Sequence, residues 1–294
     1  MTTANRPRRS VLYMPGSNER ALQKAAGLAA DALILDLEDA VAPAEKVKAR
    51  GLVAAAMAER RYGSREVAIR VNGLDTEWGA EDIAAAAAAG PDAILIPKVE
   101  SGVQLREIAA RIDALGAHEG LAIWAMMETP LAALNSAEIA AATPRLDVMI
   151  LGTNDLVNEL HATHTPERQP VMTALGLCLL AARAHGIGIV DGVYNAFRDE
   201  RGLRLACEQG KALGMDGKTL IHPAQIATAN QVFAPDEAEL EEARLYLSAY
   251  ETAQAAGEGV TVVNGRIVEN LHVENAKRLL GLDAAIRDLE TAAA

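Results

Sequence analysis

The chain is poor in the residues that mark most specialised proteins. Of its 294 residues, 3% are aromatic, two are cysteines and six are histidines. Cys178 and Cys207 have no metal-ligand spacing. They exclude a disulfide framework and a zinc cage, and read as buried thiols in a reducing compartment. Positive charge is scarce as well: 28 Lys and Arg against 40 Asp and Glu give a formal net charge of −12. A surface that displaces counterions from nucleic acid or docks on anionic lipid needs the opposite balance, so neither nucleic acid nor membrane is an expected partner. No stretch reaches the roughly 18 uncharged apolar residues of a membrane span, and the basic residues near the start have no apolar segment behind them. A cytoplasmic protein is the expectation.

What the chain does have is small aliphatic residues. Half of it is apolar, which suffices for a large core. The apolar residues fall into short runs that each end on a polar or charged group. Ser10–Met14 leads into Pro15-Gly16, Leu33-Ile34-Leu35 into Asp36, Glu38 and Asp39, and Val67–Ile69 into Arg70 and Asn72. Ile94-Leu95-Ile96 precedes Lys98, Ala125-Met126-Met127 precedes Glu128, and Met149-Ile150-Leu151 precedes Asn154-Asp155. Gly186–Val190 ends at Asp191, and Gly217–Ile221 at His222. Runs of this kind read as buried parallel strands. Eight of them alternating with helical segments predict an α/β chain folded as a (β/α)8 TIM barrel, with its chemistry on the carboxyl-end loops. A doubly wound sheet is the competitor, but Pro15-Gly16-Ser17-Asn18-Glu19-Arg20 lacks the glycine-rich dinucleotide fingerprint.

The barrel is assigned to residues 1–234 and an extension to 235–294. The extension reads as a helix over Pro235–Gly257, a hairpin with a type I′ turn at Asn264-Gly265, and a helix from about Leu271. A lid or a subunit contact is its natural use.

Glu128 and Asp155 end consecutive predicted strands, and two carboxylates that leave open positions suit Mg2+. The competing reading makes both of them helix caps. Arg70 inside an apolar strand requires a carboxylate, from the protein or from a ligand, and its fork suits a planar acid. Strand alternation turns Asp36 and Glu38 inward and leaves Asp39 at the rim. In the first strand–helix turn, Gly16 lets a ligand approach the backbone, Asn18 caps the helix and Lys24 reaches towards an anion.

Seven stretches together resemble the HpcH/HpaI aldolase and citrate lyase superfamily, and look most like its citrate lyase beta-subunit-like and malyl-CoA lyase branch. They are Arg9–Gly16, Asp36-Leu37-Glu38-Asp39-Ala40-Val41, Arg70-Val71-Asn72-Gly73-Leu74-Asp75-Thr76, Ile96-Pro97-Lys98, Glu128-Thr129, Gly152-Thr153-Asn154-Asp155 and Gly217–Ile226. The resemblance implies Mg2+, or Mn2+ in its place, on Glu128 and Asp155, and a substrate carboxylate on Arg70. It implies that Asp36, Glu38 and Asp39 orient Arg70 and metal-bound waters. A CoA ester would lie along Pro15, Gly16, Arg20 and Lys24, with Lys98 and Asp191 completing the substrate site. The resemblance further implies a homotrimer or homohexamer, in which the extension of one subunit brings a proton-transfer acid to its neighbour. Glu269 stands where the family carries Asp.

The implied reaction cleaves, or forms, the C–C bond of a 3-hydroxyacyl-CoA such as malyl-CoA, beta-methylmalyl-CoA or citramalyl-CoA. Its products are acetyl-CoA or propionyl-CoA and the 2-oxo acids glyoxylate or pyruvate. The alternatives are a malyl-CoA thioesterase, a CoA-independent 2-oxo-acid aldolase, and a citrate lyase beta subunit working within a complex.

Overall fold

In the computed structural model, which describes residues Arg6–Ala293, the eight apolar runs pair in chain order into a closed parallel barrel. The strands are β1 (Ser10–Pro15), β2 (Ala32–Asp36), β3 (Glu66–Arg70), β4 (Ala93–Ile96), β5 (Ala122–Met127), β6 (Leu146–Leu151), β7 (Gly188–Asp191) and β8 (Gly217–Leu220). Closure comes from β1, which pairs with β2 on one side and with β8 on the other, Ser10 lying opposite Lys218.

The helices between them are α1 (Glu19–Ala25), α2 (Lys46–Ala58), α3 (Gly79–Ala89), α4 (Gly102–Ala114), α5 (Pro130–Leu134), α6 (Ser136–Ala140), α7 (Thr153–Glu159), α8 (Met172–His185), α9 (Glu200–Leu213) and α10 (Ile226–Phe233). Asn18 caps α1 as its residue type predicts, its side chain accepting from the Ala21 N–H at 3.0 Å. That helix is shorter than the expected span to Ala29. The Ala26 and Gly27 N–H groups turn back to Gln23 and Lys24, three residues away, and the helix tightens to its end. Pro43 opens a single 3-10 turn, Pro43–Glu45, and α2 begins only at Lys46.

The period-two alternation of strand side chains sorts the apolar residues into two cores. Val11, Ile34, Ala68, Leu95, Trp124, Met126, Val148, Ile150 and Val190 form the cluster inside the barrel. Their strand neighbours, such as Leu33, Leu35, Ile69 and Ile94, pack outward with the helices, as do Cys178 and Cys207. Both thiols are free and buried. Small side chains at Ala32, Ala68 and Ala93 make room for Trp124, the largest fully buried side chain. Beneath it Arg8 closes the amino end of the barrel, bonding Glu66 at 2.6 and 2.8 Å and Asp147 at 2.5 Å, with its guanidinium carbon 5.6 Å from the Trp124 ring centroid.

Two compact units make up the chain, one spanning Arg8–Phe233 and the other containing Ala234–Ala292. The second holds α11 (Glu237–Ala255), the antiparallel pair β9 (Thr261–Val263) and β10 (Arg266–Val268), and α12 (Asn270–Ala293). Asp236 and Glu239 make a reciprocal capping box at the start of α11. Asn264 and Gly265 have φ of 51° and 78°, the positive values a type I′ turn requires. Tyr250, Val263, Val268 and Val273 form this unit's own small core. No helix among the described residues is long and apolar enough to cross a membrane.

Candidate active site at the barrel mouth

Asp36 and Arg70 lie opposite one another at the carboxyl ends of β2 and β3. Ile34 and Ala68 face the barrel interior, so two residues on, Asp36 and Arg70 face it as well. Asp36 accepts from Arg70 Nε and Nη2, each at 2.7 Å. It also accepts backbone N–H groups of Glu38 and Ala40, at 2.9 and 3.1 Å, which bends the chain over the strand end. Arg70 stacks on Tyr13, its guanidinium carbon 4.8 Å from the ring centroid. Its remaining nitrogen, Nη1, lies 2.8 Å from Glu38 Oε2 and 3.3 Å from Asp39 Oδ2. The Glu38 contact is an ion pair without an aligned hydrogen bond, so Oε2 is a buried acceptor with no hydrogen-bond partner. Burial pushes the Glu38 carboxyl up to about 7, against the pull of Arg70.

Lys46 and Asn72 hold this loop from behind. The Lys46 ammonium donates to the Leu37 and Glu38 carbonyls at 3.0 and 2.8 Å and to Asn72 Oδ1 at 2.7 Å. Lys46 escapes sequence reasoning. It follows Pro43 on a polar helix start, where a solvated lysine is the ordinary expectation, yet it is buried.

Glu128 follows β5 and is buried, with Oε1 accepting the Lys98 backbone N–H at 2.8 Å. Lys98 has φ of 45°, a left-handed conformation that costs a non-glycine residue energy. The bend after β4 is thus fixed by the carboxylate at the end of β5. A Cβ on Gly152 would collide with Glu128, so glycine is required there for close approach. Burial raises the Glu128 carboxyl to about 7, reinforced by the charges of Glu38 and Asp155 and opposed by the Lys98 N–H. Asp155 lies in the first turn of α7, 3.5 Å from the Lys98 ammonium, and is part-exposed.

The donor set here is oxygen only. Among the described residues no group of three or more His, Cys, Asp and Glu side chains could cage an ion. Two carboxylates, one buried with its charge disfavoured, fit a hard divalent cation that keeps waters and substrate oxygens in its remaining positions. The Lys98 ammonium lies beside Asp155 and offsets part of its charge.

The other residues expected at the site lie as follows. Pro15 ends β1, and Gly16 donates to the Asp36 carbonyl at 2.8 Å. A Cβ on Gly16 would strike that carbonyl, so the glycine is required for this backbone-to-backbone approach. Arg20 and Lys24 are exposed on α1, Lys24 in its last turn. Asp191 is a correction. Val190 faces the barrel interior, so Asp191 faces the helices, where it is fully buried between Lys218 and Arg168. These two cations overcome burial and hold its carboxyl below the usual range, and it has no open face for substrate. Glu269 is exposed just before α12, its N–H donating to His272 Nδ1 at 3.1 Å.

Residues 9–223 match the family described as HpcH/HpaI aldolase/citrate lyase. The chain belongs to that family. Among proteins of the HpcH/HpaI family it is 56% identical over 280 residues to a (3S)-malyl-CoA thioesterase of Cereibacter sphaeroides, covering 95% of this chain and 96% of that one. It is 35% identical over 296 residues to the L-malyl-CoA/beta-methylmalyl-CoA lyase of the same species, covering 92% and 93%. Among solved structures, the protein CitE of Mycobacterium tuberculosis in complex with magnesium, acetoacetate and coenzyme A superposes with a TM-score of 0.77. That match is at 29% identity, over 96% of this chain and 99% of that one.

Proposed function

We propose that the chain is a Mg2+-dependent enzyme acting on a malyl-CoA-type thioester, and that it hydrolyses the thioester to free CoA and the hydroxy diacid. The observation that carries the reading is the 56% identity to a malyl-CoA thioesterase over nearly the full length of both chains. Cleavage of the C–C bond, which stands first on sequence grounds, becomes the second reading. It is supported by the lower identity to a malyl-CoA lyase over a similar span.

The geometry suits either reaction. Glu128 and Asp155 would hold the metal, which supplies a Lewis acid and a template for substrate oxygens. Asp36 fixes Arg70 as a rigid cation at the mouth, so that charge developing on a substrate oxygen meets a donor that need not reorganise. Glu38, whose Oε2 is ion-paired with Arg70 but makes no hydrogen bond and whose carboxyl is pushed up to about 7, can take up or release a proton at neutral pH. Lys98 adds a second positive charge on the Asp155 side. We assign the CoA arm to the α1 side of the mouth with Arg20 and Lys24, Glu269 to proton exchange, and the 235–294 extension to contacts in a homotrimer or homohexamer.

Incubating the purified chain with (3S)-malyl-CoA and Mg2+, and separating the products, tests the proposal. Malate and free CoA support hydrolysis; acetyl-CoA and glyoxylate support the second reading. No conversion that depends on Mg2+ would overturn both.

A further inference from the structure

Asp36 takes Nε and Nη2 of Arg70. That leaves Nη1, which donates to the exposed Asp39 at 3.3 Å, as the nitrogen that can turn to a ligand. A carboxylate has two oxygens, so a grip at two points needs a second donor. The barrel interior brings one beside Arg70, the hydroxyl of Tyr13.

Tyr13 lies two residues after Val11 on β1 and faces inward with it, packed against the cluster inside the barrel. In the eight-strand order β1 and β5 stand across the barrel from one another, yet the Tyr13 hydroxyl reaches β5, donating to Met126 Sδ at 3.4 Å. The side chain therefore spans the interior and makes the floor of the mouth. Arg70 lies over its ring, the guanidinium carbon 4.8 Å from the centroid. The inward side chains around and below it, Val11, Ile34, Ala68 and Trp124, are fully buried, whereas Tyr13 is part-exposed, so its open surface is towards the mouth.

The far end of the ring lies on the Glu128 side. Met126 Cε and Glu128 Oε2 crowd the same space beside Gly152, 3.1 and 2.6 Å from where a Cβ would stand. A thioether is a weak acceptor, and a phenol with an ordinary pKa of about 10 is protonated at neutral pH. The hydroxyl is thus a donor between Arg70 and Glu128 whose protein partner is a poor one.

We infer that Tyr13 is a substrate-contacting residue, its hydroxyl donating to one oxygen of the carboxylate whose other oxygen meets Arg70 Nη1. The inference rests on the reading that Arg70 receives a substrate carboxylate. The hydroxyl would exchange a sulfur for a charged oxygen, the stronger acceptor, by turning about its own C–O bond. The carboxylate of a malyl group is not at the thioester and keeps its charge throughout the reaction. The contact is then equally strong before and in the transition state, and it lowers KM rather than raising kcat.

Tyr13→Phe keeps the ring under Arg70 and removes only the hydroxyl. Calorimetry of malate into the Mg2+-loaded chain should give an affinity at least about tenfold below the parent's, since a hydrogen bond to a charged group is lost. With (3S)-malyl-CoA, KM should rise by a similar factor while kcat stays within about twofold. Mg2+ affinity and Tm should be those of the parent; a merely structural hydroxyl would not single out KM. Met126→Leu removes the sulfur acceptor at nearly constant volume and should leave malate bound at least as tightly as before. Unchanged malate affinity in Tyr13→Phe, an equal loss in Met126→Leu, or no malate binding to the parent chain would overturn the inference. The products formed from malyl-CoA do not enter the malate measurement, so the thioesterase reading stands or fails separately.

Discussion

Asp36 occupies one full edge of the Arg70 guanidinium, leaving Nη1 as the nitrogen nearest Glu38 and Asp39. A substrate carboxylate gripped by Arg70 therefore meets a fork whose other edge is already taken.

Arg70→Lys tests that arrangement. Lysine keeps the charge but gathers its donors on one tetrahedral nitrogen, so it loses the planar fork that meets Asp36 along one edge and points Nη1 to the mouth. We expect kcat/KM to fall by an amount equivalent to about 2–4 kcal/mol, with a lower Tm as Asp36 loses one of its two buried bonds. Steady-state kinetics and thermal unfolding check it; wild-type turnover would make Arg70 purely structural.

The carboxylate pair is tested by Glu128→Gln and Asp155→Asn. Each removes a ligand charge at nearly constant volume, so Mg2+-dependent turnover should vanish while circular dichroism stays that of the parent. Full activity of the wild type in EDTA would rule out the metal assignment.

The raised carboxyls make a pH prediction. Glu38 and Glu128 titrate near 7 in the folded chain and near 4.5 once unfolding returns them to water, so between these values the native state binds more protons than the unfolded one. Stability of the metal-free protein should then fall as pH rises from about 4.5 to about 7 and level off above. Mg2+ must displace the Glu128 proton, so its affinity should rise across the same window. Thermal shift and calorimetry on both sides of that window, with and without Mg2+, read both; a pH-independent Mg2+ affinity would contradict the pairing.

Glu269→Gln removes only the capacity to exchange a proton. Turnover should drop by about a hundredfold or more without a change in the mass measured by size-exclusion light scattering. A chain ending at Gly257 should keep the barrel and bind Mg2+ by calorimetry, yet lose turnover. Parental activity in Glu269→Gln would move the proton-transfer role to Glu38.

The barrel was legible because each strand pairs with the next one in the chain, so local apolar runs carried the topology. Asp36 and Arg70 were legible for the same reason: inward parity can be counted from Ile34 and Ala68. Asp191, expected at the site from the resemblance, has the opposite parity. It ends its strand as Asp36 does, but Val190 takes the inward position, and a one-residue offset sends the carboxylate to the opposite face. Lys46 and Arg168 were not legible at all. Their partners lie in other elements of the chain, and nothing in a local window distinguishes a lysine that ties down two carbonyls from one in water.

The cluster under Trp124 bears on how the chain reaches this state. Arg8 draws its partners from 58 and 139 residues further along, and Ser10 waits for Lys218 to complete its strand pairing. During synthesis the amino-terminal strand must remain half-paired, with a bare sheet edge, until most of the barrel has emerged, although Arg8 can meet Glu66 well before Asp147. The nascent chain is therefore most exposed to misassociation at its beginning, and the last strand made is the one that removes the hazard.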